Sequence, residues 1–389
     1  MKAVFLLQTD PFHPKPALRA LRQADTLSRG GWQVSFVSWI KGSPPPTGAG
    51  EPYPVHRVIV PVPPLGTSVL RRGLAYRRAT SALADAAERE RPDLLVAHDL
   101  EVLTAARRAK GRCKARLIYD SHEDWPALIA ENSRLESCLA AVQERRLCRH
   151  VDAVTTVSEP IASKFRSWGR PTIVLYSARP SSEVRLADRE ESRQAFGFAP
   201  GDFVIGFAGA LGRGRGLEVL LEAARRLSTS TKLLIVGGPE KEAERLRLRS
   251  YQAGISNRVR IDGYRPFSHL ATYYAAMDLG VILLEPRPNH VRAMPNKLFD
   301  YMAHGVPVVV PDYPAMAHVV RGAGCGWTLA AVEADSLQRT LVSIVDSGDA
   351  ATRGGVGRLS YLKTYAWERQ EDNFFRLTGS LFAETETTK

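Results

Sequence analysis

The stretch FAGALGRGRGLEVLLEAARRL, residues 207–227, decides the fold. It ends an apolar strand at Ala208, passes through a glycine-rich turn, and continues as an amphipathic helix carrying Leu217, Leu220, Leu221 and Ala224. Strand, turn and helix in that order form the repeating unit of a parallel sheet covered by helices. The alternation extends both ways. Residues 203–208, 232–236, 259–262, 279–284 and 306–310 read as strands of one series, with helical segments between them. Upstream, residues 2–7, 32–39, 94–97, 116–119, 153–157 and 172–176 read as another, with a helix over 17–29 stopped by Gly30 and Gly31.

The rhythm lapses only where the chain turns polar, charged and proline-bearing. This places a linker at 179–200, between a first domain at 1–178 and a second at 201–359. Residues 360–389 read as a helical tail whose Tyr361, Tyr365, Trp367, Phe374, Phe375 and Phe382 pack it back on the body. The fold class is therefore α/β, with two Rossmann-like parallel-sheet domains facing each other across a cleft. In such sheets ligands gather at the carboxyl ends of the strands.

Composition agrees and narrows the function classes. A chain of 389 residues is long enough for two cores, and 44% hydrophobic with 24% charged residues excludes a disordered protein. No run approaches the roughly 20 apolar residues that cross a bilayer. The start, MKAVFLLQTD, reads as a buried strand and not a signal peptide, so a cytoplasmic location is expected. Cys113, Cys138, Cys148 and Cys325 show no spacing suited to zinc, and no metal is expected. The net charge of +12 draws anions, yet no nucleic-acid module is recognisable and nucleic acid is not expected as a partner. Arg71, Arg72, Arg77 and Arg78, with a second group at Lys110, Arg112, Lys114 and Arg116, read as a solvated basic face or as a peripheral surface for anionic membrane or a lipid-linked acceptor.

Three segments carry candidate chemistry. In AMPNKLFDYMAHGVPVVVPD, residues 293–312, Pro295 starts a helix whose first-turn amides and dipole favour a phosphate near Asn296 and Lys297. Asp300, one turn in, either holds a ribose diol or is an ordinary polar residue beside the apolar Leu298, Phe299 and Met302. In the glycine-rich turn, Gly209, Gly212, Gly214 and Gly216 let backbone approach a ligand, and Arg213 and Arg215 supply charge for a diphosphate. That turn is not a dinucleotide fingerprint in register, and taken alone it is equally a loop with solvated arginines. In the first domain, VAHDLEVL and IYDSHEDWP place His98, Asp99, Asp120, His122 and Glu123 just after two strands. An interior histidine satisfied by backbone is the plain alternative for His98.

Taken in order, these segments resemble glycosyltransferase family 4, the glycosyl transferases group 1 of the GT-B fold, over nearly the whole chain. The resemblance runs through RALRQADTLSRGGWQVSFVS, DLLVAHD, LIYDSHE and DAVTTVSEPIASKF, then through GFAGALGRGRGLEVLLEA, LLIVGG, VRIDGYRPFSHLATYYAAMDLGVILLEP and PNKLFDYMAHGVPVVVPD. It implies retaining transfer from a UDP-sugar or GDP-sugar to a glycan or lipid-linked acceptor, without a cofactor or required metal. By motif position, Arg215 matches the basic residue that contacts the donor diphosphate. Asp300 stands where the family holds the ribose with glutamate, Gly263 and Tyr264 where it brackets the base, and His122 where a histidine lies near sugar and acceptor. The resemblance thus points to His122, Arg215 and Asp300 for catalysis, and with His122 the strand-end residues His98, Asp120 and Glu123 are read as the acceptor side.

Two positions depart from the pattern. Arg292 stands where the first motif glutamate would fall, and Ala210 where a basic residue often follows the glycine. The PNKLFDYM form is read as marking a subgroup that lacks the glutamate. The departures keep open a protein that binds nucleotide-sugar or acts as a scaffold without turnover. A sugar-nucleotide epimerase is a further reading, disfavoured by PNKLFDYM.

Overall fold

A computed structural model describes residues 1–14, 16–43, 45, 50–62 and 69–383. The chain forms two compact units. The first comprises Met1–Ser177 together with the chain from Gln370 onward, and the second Ala178–Arg369.

The first unit is a seven-stranded, all-parallel sheet of β1 (Lys2–Leu7), β2 (Gln33–Ile40), β3 (Val55–Ile59), β4 (Leu94–His98), β5 (Arg116–Ser121), β6 (Ala153–Thr156) and β7 (Thr172–Val174), in the order β3-β2-β1-β4-β5-β6-β7. β1 pairs with β2 and β4, so the strand order reverses around it and opens a crevice at the carboxyl ends of β1 and β4. Helices on both faces bury the strands, which therefore read as continuous apolar runs. The second unit repeats the plan with β8 (Phe203–Ala208), β9 (Thr231–Val236), β10 (Val259–Asp262), β11 (Leu279–Val281), β12 (Val308–Pro311) and β13 (Gly326–Leu329), in the order β10-β9-β8-β11-β12-β13. Here the reversal lies between β8 and β11.

β3 and β13 are additions to the strands read from sequence. β3 is a half-exposed edge strand. β13 begins on Gly326, where a Cβ would come 1.9 Å from the Val308 carbonyl oxygen, so the glycine that reads as a break is what admits the strand.

Residues 179–200, read as a linker, belong to the second unit. They form a 3-10 turn at Ser181–Glu183 and a helix at Arg189–Ala195, capped by the Asp188 carboxylate accepting from the Glu191 N–H at 2.9 Å. Arg193 is buried and donates to Asp278 Oδ2 at 3.0 Å and to the carbonyls of Ala199 and Asp202. A buried guanidinium needs such partners, and they tie the segment to the sheet. The tail is also divided. Residues up to Arg369 stay with the second unit, while the helix Trp367–Ala383 carries Phe374 into the core of the first, beside Leu27, Trp32 and Val34.

Candidate functional site

In the first unit the polar residues at the carboxyl ends of β4 and β5 form one network, and the strands run on into His98 and Ser121, past the ends at 97 and 119 read from sequence. The β4–β5 register sets His98 beside Asp120. Asp120 is fully buried and accepts from Arg19 Nε at 2.8 Å, Arg19 Nη2 at 2.7 Å, Gln23 Nε2 at 2.8 Å and Thr155 Oγ1 at 2.6 Å. Arg19 and Gln23 lie one turn apart on the helix Leu18–Arg29, so a single helix face delivers both donors. Burial alone would raise the Asp120 carboxyl, but the Arg19 and His122 charges outweigh it and hold it well below the usual range.

His122 Nε2 lies 3.1 Å from Asp120 Oδ2 and 3.0 Å from His98 Nδ1. The two imidazoles are driven apart in pKa. Burial lowers His98 to about 3 and keeps it neutral. Burial also works against charge on His122, but Asp99 and Asp120 outweigh it and raise its pKa. Asp99 supports the same ring from the other side. It accepts from the His122 N–H at 3.2 Å and Trp125 Nε1 at 3.0 Å. Its backbone is held at φ 71° and ψ 164°, a region that side-chain-bearing residues rarely adopt. Strain of this kind persists where surrounding contacts over-determine it, here at the mouth of a strand-end crevice. Glu123 lines the following turn, where its carbonyl accepts from Ser121 Oγ at 2.9 Å. His98, Asp120 and His122 bring three ligand atoms within 4.8 Å of one another. The bidentate Arg19 on Asp120 already neutralises the one carboxylate of that trio, so the donor set suits proton sharing better than a cation.

In the second unit, the strand end at β8 and the helix Asn296–Ala303 meet. The Tyr301 hydroxyl accepts from the Ala208 N–H at 3.0 Å and pins the helix beneath the turn. Lys297 then lays its ammonium 3.5 Å from the centre of the Phe207 ring. At Gly209, φ is +136° and a Cβ would sit 3.1 Å from Lys297 Nζ, so only glycine leaves room between strand end and cation. Arg215 reinforces the field. Burial first, then the Arg215 charge, push the Lys297 pKa well below 10.5. Neither Lys297 nor Arg215 makes a hydrogen bond or ion pair with a carboxylate among the described residues. Arg215 precedes Gly216, the N-cap of the helix Leu217–Ala224, whose φ of +68° and approach to the Leu283 carbonyl admit no side chain.

The remaining sequence candidates spread around this centre. Arg213 is exposed, Gly212 faces open space, and Asn296 is the exposed first residue of its helix. Gly263 and Tyr264 follow β10, two strands from β8, with the Tyr264 ring 60% exposed. Asp300 Oδ1 accepts from Arg179 Nε at 3.2 Å, and the Arg179 guanidinium stacks 3.2 Å above the Phe267 ring. Arg179, Arg19, Gln23, Trp125 and Thr155 are the site residues the motifs do not single out, whereas Asp99, read from VAHDLEVL, takes its place beside His122. No local signal marks Arg19 or Gln23, because the buried face of their helix also carries Arg22 and Thr26 beside its alanines and Leu27.

Two Rossmann-like units, one with a buried proton-sharing cluster at its strand ends and the other with Lys297 and Arg215 at the end of β8, define a GT-B architecture. The family descriptions "Glycosyl transferase 4-like domain" and "Glycosyl transferases group 1" match residues 16–175 and 202–347, and the chain belongs to this glycosyltransferase family. A D-inositol 3-phosphate glycosyltransferase of Nocardia farcinica is 23% identical over 254 residues, covering 62% of this chain and 55% of the relative. One from Catenulispora acidiphila is 24% identical over 250 residues, covering 59% of each chain. The chain thus matches little more than half the length of these curated relatives. Among solved structures, sucrose-phosphate synthase from Thermosynechococcus elongatus superposes with a TM-score of 0.81 at 17% identity, covering 99% of this chain and 100% of that one. HepE of Anabaena in complex with UDP-glucose gives a TM-score of 0.74 at 19% identity, covering 97% and 99%.

Proposed function

We propose that this glycosyltransferase moves a sugar from a nucleoside-diphosphate sugar, with retention, to a glycan or lipid-linked acceptor. The observation that carries the reading is the pair Lys297 and Arg215 beside Gly209, two basic groups with no hydrogen bond or salt bridge to a carboxylate among the described residues, Asp300 acting on Lys297 only through its charge. A diphosphate supplies the anion this place calls for, and the helix dipole at Asn296 adds to the attraction. As the nucleoside diphosphate departs, charge grows on its phosphates, and fixed cations stabilise that charge without reorganising. Lys297 also answers the departure at Ala210, since it brings a cation to the same strand end from another element. Asp300, steadied by Arg179, is assigned to the ribose, and the backbone at Gly263 and Tyr264 to the base. The complexes of Anabaena HepE with UDP and with UDP-glucose favour UDP as the nucleotide.

On the acceptor side, half-exposed His122 is the group placed to meet a hydroxyl, with Asp99 and Asp120 fixing its ring and charge. On the same unit a groove of about 530 Å³ opens at Trp125, the indole bonded to Asp99, and is lined by Tyr76, Leu100 and Ile129 with Arg72 and Arg77 against Glu101 and Glu136. Apolar walls with a mixed charged rim suit an acceptor that joins an apolar or aromatic part to a polar one. The reaction needs no covalent residue, because attack on the face the nucleotide leaves retains configuration. Thermal-shift and calorimetric titration against UDP, GDP, dTDP and their sugars tests the donor reading. Binding of one nucleoside diphosphate, weakened by Arg215→Ala and Lys297→Ala, supports it. Turnover of a UDP-sugar unchanged by His122→Ala would remove His122 from the mechanism.

A further inference from the structure

The helix Arg134–Cys148 of the first unit carries two apolar stripes, and the fold uses one. Ala140, Leu147 and Cys148 are buried against the unit. Leu135, Cys138, Leu139 and Val142 recur at i, i+3, i+4 and i+7, which places them on one face, opposite the buried set. That face is in solvent, with Leu135 72%, Leu139 62% and Val142 50% exposed. A contiguous exposed apolar stripe marks a surface that something covers.

Charge around the stripe identifies the cover. Arg134 precedes it, and Arg145, Arg146 and Arg149 close its far end, none of them paired with a carboxylate among the described residues. The same end borders an open hollow of about 960 Å³ lined by Arg107, Lys110, Arg112, Lys114, Arg149 and Arg170, with Asp152 as its one carboxylate. His150, on its wall, feels this field. Slight burial, then Arg107, Lys110 and Arg149, lower its pKa. The basic group read from sequence at 110–116 is partly answered within the fold, since Lys110 and Arg116 pair with Asp152, and Arg112 with Asp85 and Glu88. Arg134, Arg145, Arg146 and Arg149, on and beside this helix, are not answered in that way. Leucines flanked by free guanidinium groups match an anionic bilayer, where apolar side chains enter the acyl boundary and arginines meet the phosphates.

We propose that the outer face of the Arg134–Cys148 helix seats the first unit on an anionic lipid surface. This specifies the membrane side of the functional reading but is tested without donor, so failure of one leaves the other standing. The full chain is floated with vesicles of phosphatidylcholine alone or mixed with phosphatidylglycerol. The wild type is expected to float with the anionic vesicles and to be released by salt. The triple variant Leu135→Gln, Leu139→Gln, Val142→Gln, at positions the fold does not bury, should lose on the order of tenfold or more in partitioning. The charge variant Arg146→Glu, Arg149→Glu should lose it likewise. In Leu139→Trp, emission should shift to the blue on anionic vesicles and be quenched by brominated acyl chains. Three results would overturn the proposal. The wild type fails to bind anionic vesicles, the triple variant binds as well as the wild type, or the new indole stays in water. Sedimentation velocity separates the remaining occupant, because a wild-type dimer that the triple variant dissolves, with vesicle binding unchanged, assigns the face to a second copy instead.

Discussion

Lys297 rests on the Phe207 ring beside Arg215, and burial with that neighbour's charge holds its pKa well below 10.5. A diphosphate placed there would reverse the balance, favouring the ammonium and raising its pKa. Donor binding should therefore weaken as pH rises through the titration of Lys297. Calorimetric titrations across a pH series read this directly, and an affinity whose pH dependence is unchanged in Lys297→Ala would count against Lys297 as a phosphate ligand. Its removal in Lys297→Ala should weaken nucleoside-diphosphate binding by about 1.5–3 kcal/mol, the range for hydrogen bonds to charged groups. On the first unit, Asp120 and Arg19 form a buried bidentate pair. Asp120→Asn leaves the guanidinium buried without its counter-charge, a change that costs about 3–5 kcal/mol, read by denaturant unfolding. The pH dependence has a definite sign. Asp120 is depressed below 3.8, so its contribution is full above that value and is lost as pH falls through the folded pKa. His122 is raised above 6.5, so its contribution is full below that value and is lost as pH rises through the folded pKa. The variant should flatten the acid limb of the stability profile.

Among the elements, the helix Trp367–Ala383 best shows how distant chain is recruited to a core. Phe374 is fully buried and Phe382 meets Trp32 with ring centres 5.5 Å apart. Phe374→Ala should destabilise the first unit by about 3–5 kcal/mol, measured by chemical unfolding, whereas a tail that merely frays would leave the midpoint unchanged. Its aromatic spacing announced the packing, but which unit receives it depends on tertiary pairing that no local pattern encodes. The strands flanking the site were legible for a stronger reason, since parallel strands buried on both faces must be apolar throughout. Edge strand β3, open on one side, lacks that constraint, and β13 hides behind Gly326. His98, Asp120 and His122 could be found because titratable residues directly follow apolar strands. Arg19, Gln23 and Arg179 could not be assigned, because a charged or polar residue on a helix or loop reads as solvated until its buried partner is known. The segment 179–200 misled in the same way, its Arg193 being paired inside the second unit.

For the whole molecule, a net charge of +12 acts at two separate places. One is the cation pair at the strand end of the second unit, suited to a diphosphate. The other is the arginine-flanked face of the Arg134–Cys148 helix, suited to lipid. No helix among the described residues is long and apolar enough to cross a membrane. Salt should release the protein from vesicles much more readily than it weakens the donor, because exposed charges are screened over about 8–10 Å while the half-buried Lys297 and Arg215 are screened less. The central claim is that Lys297 and Arg215 hold the diphosphate of a sugar donor. It is tested most directly by titrating the purified chain with UDP and GDP in the calorimeter, alongside Lys297→Ala and Arg215→Ala checked for native circular dichroism. The account predicts saturable binding of one nucleotide, weakened at least about tenfold in each variant. A folded wild type that binds neither nucleotide, or variants that bind as tightly as the wild type, would contradict it.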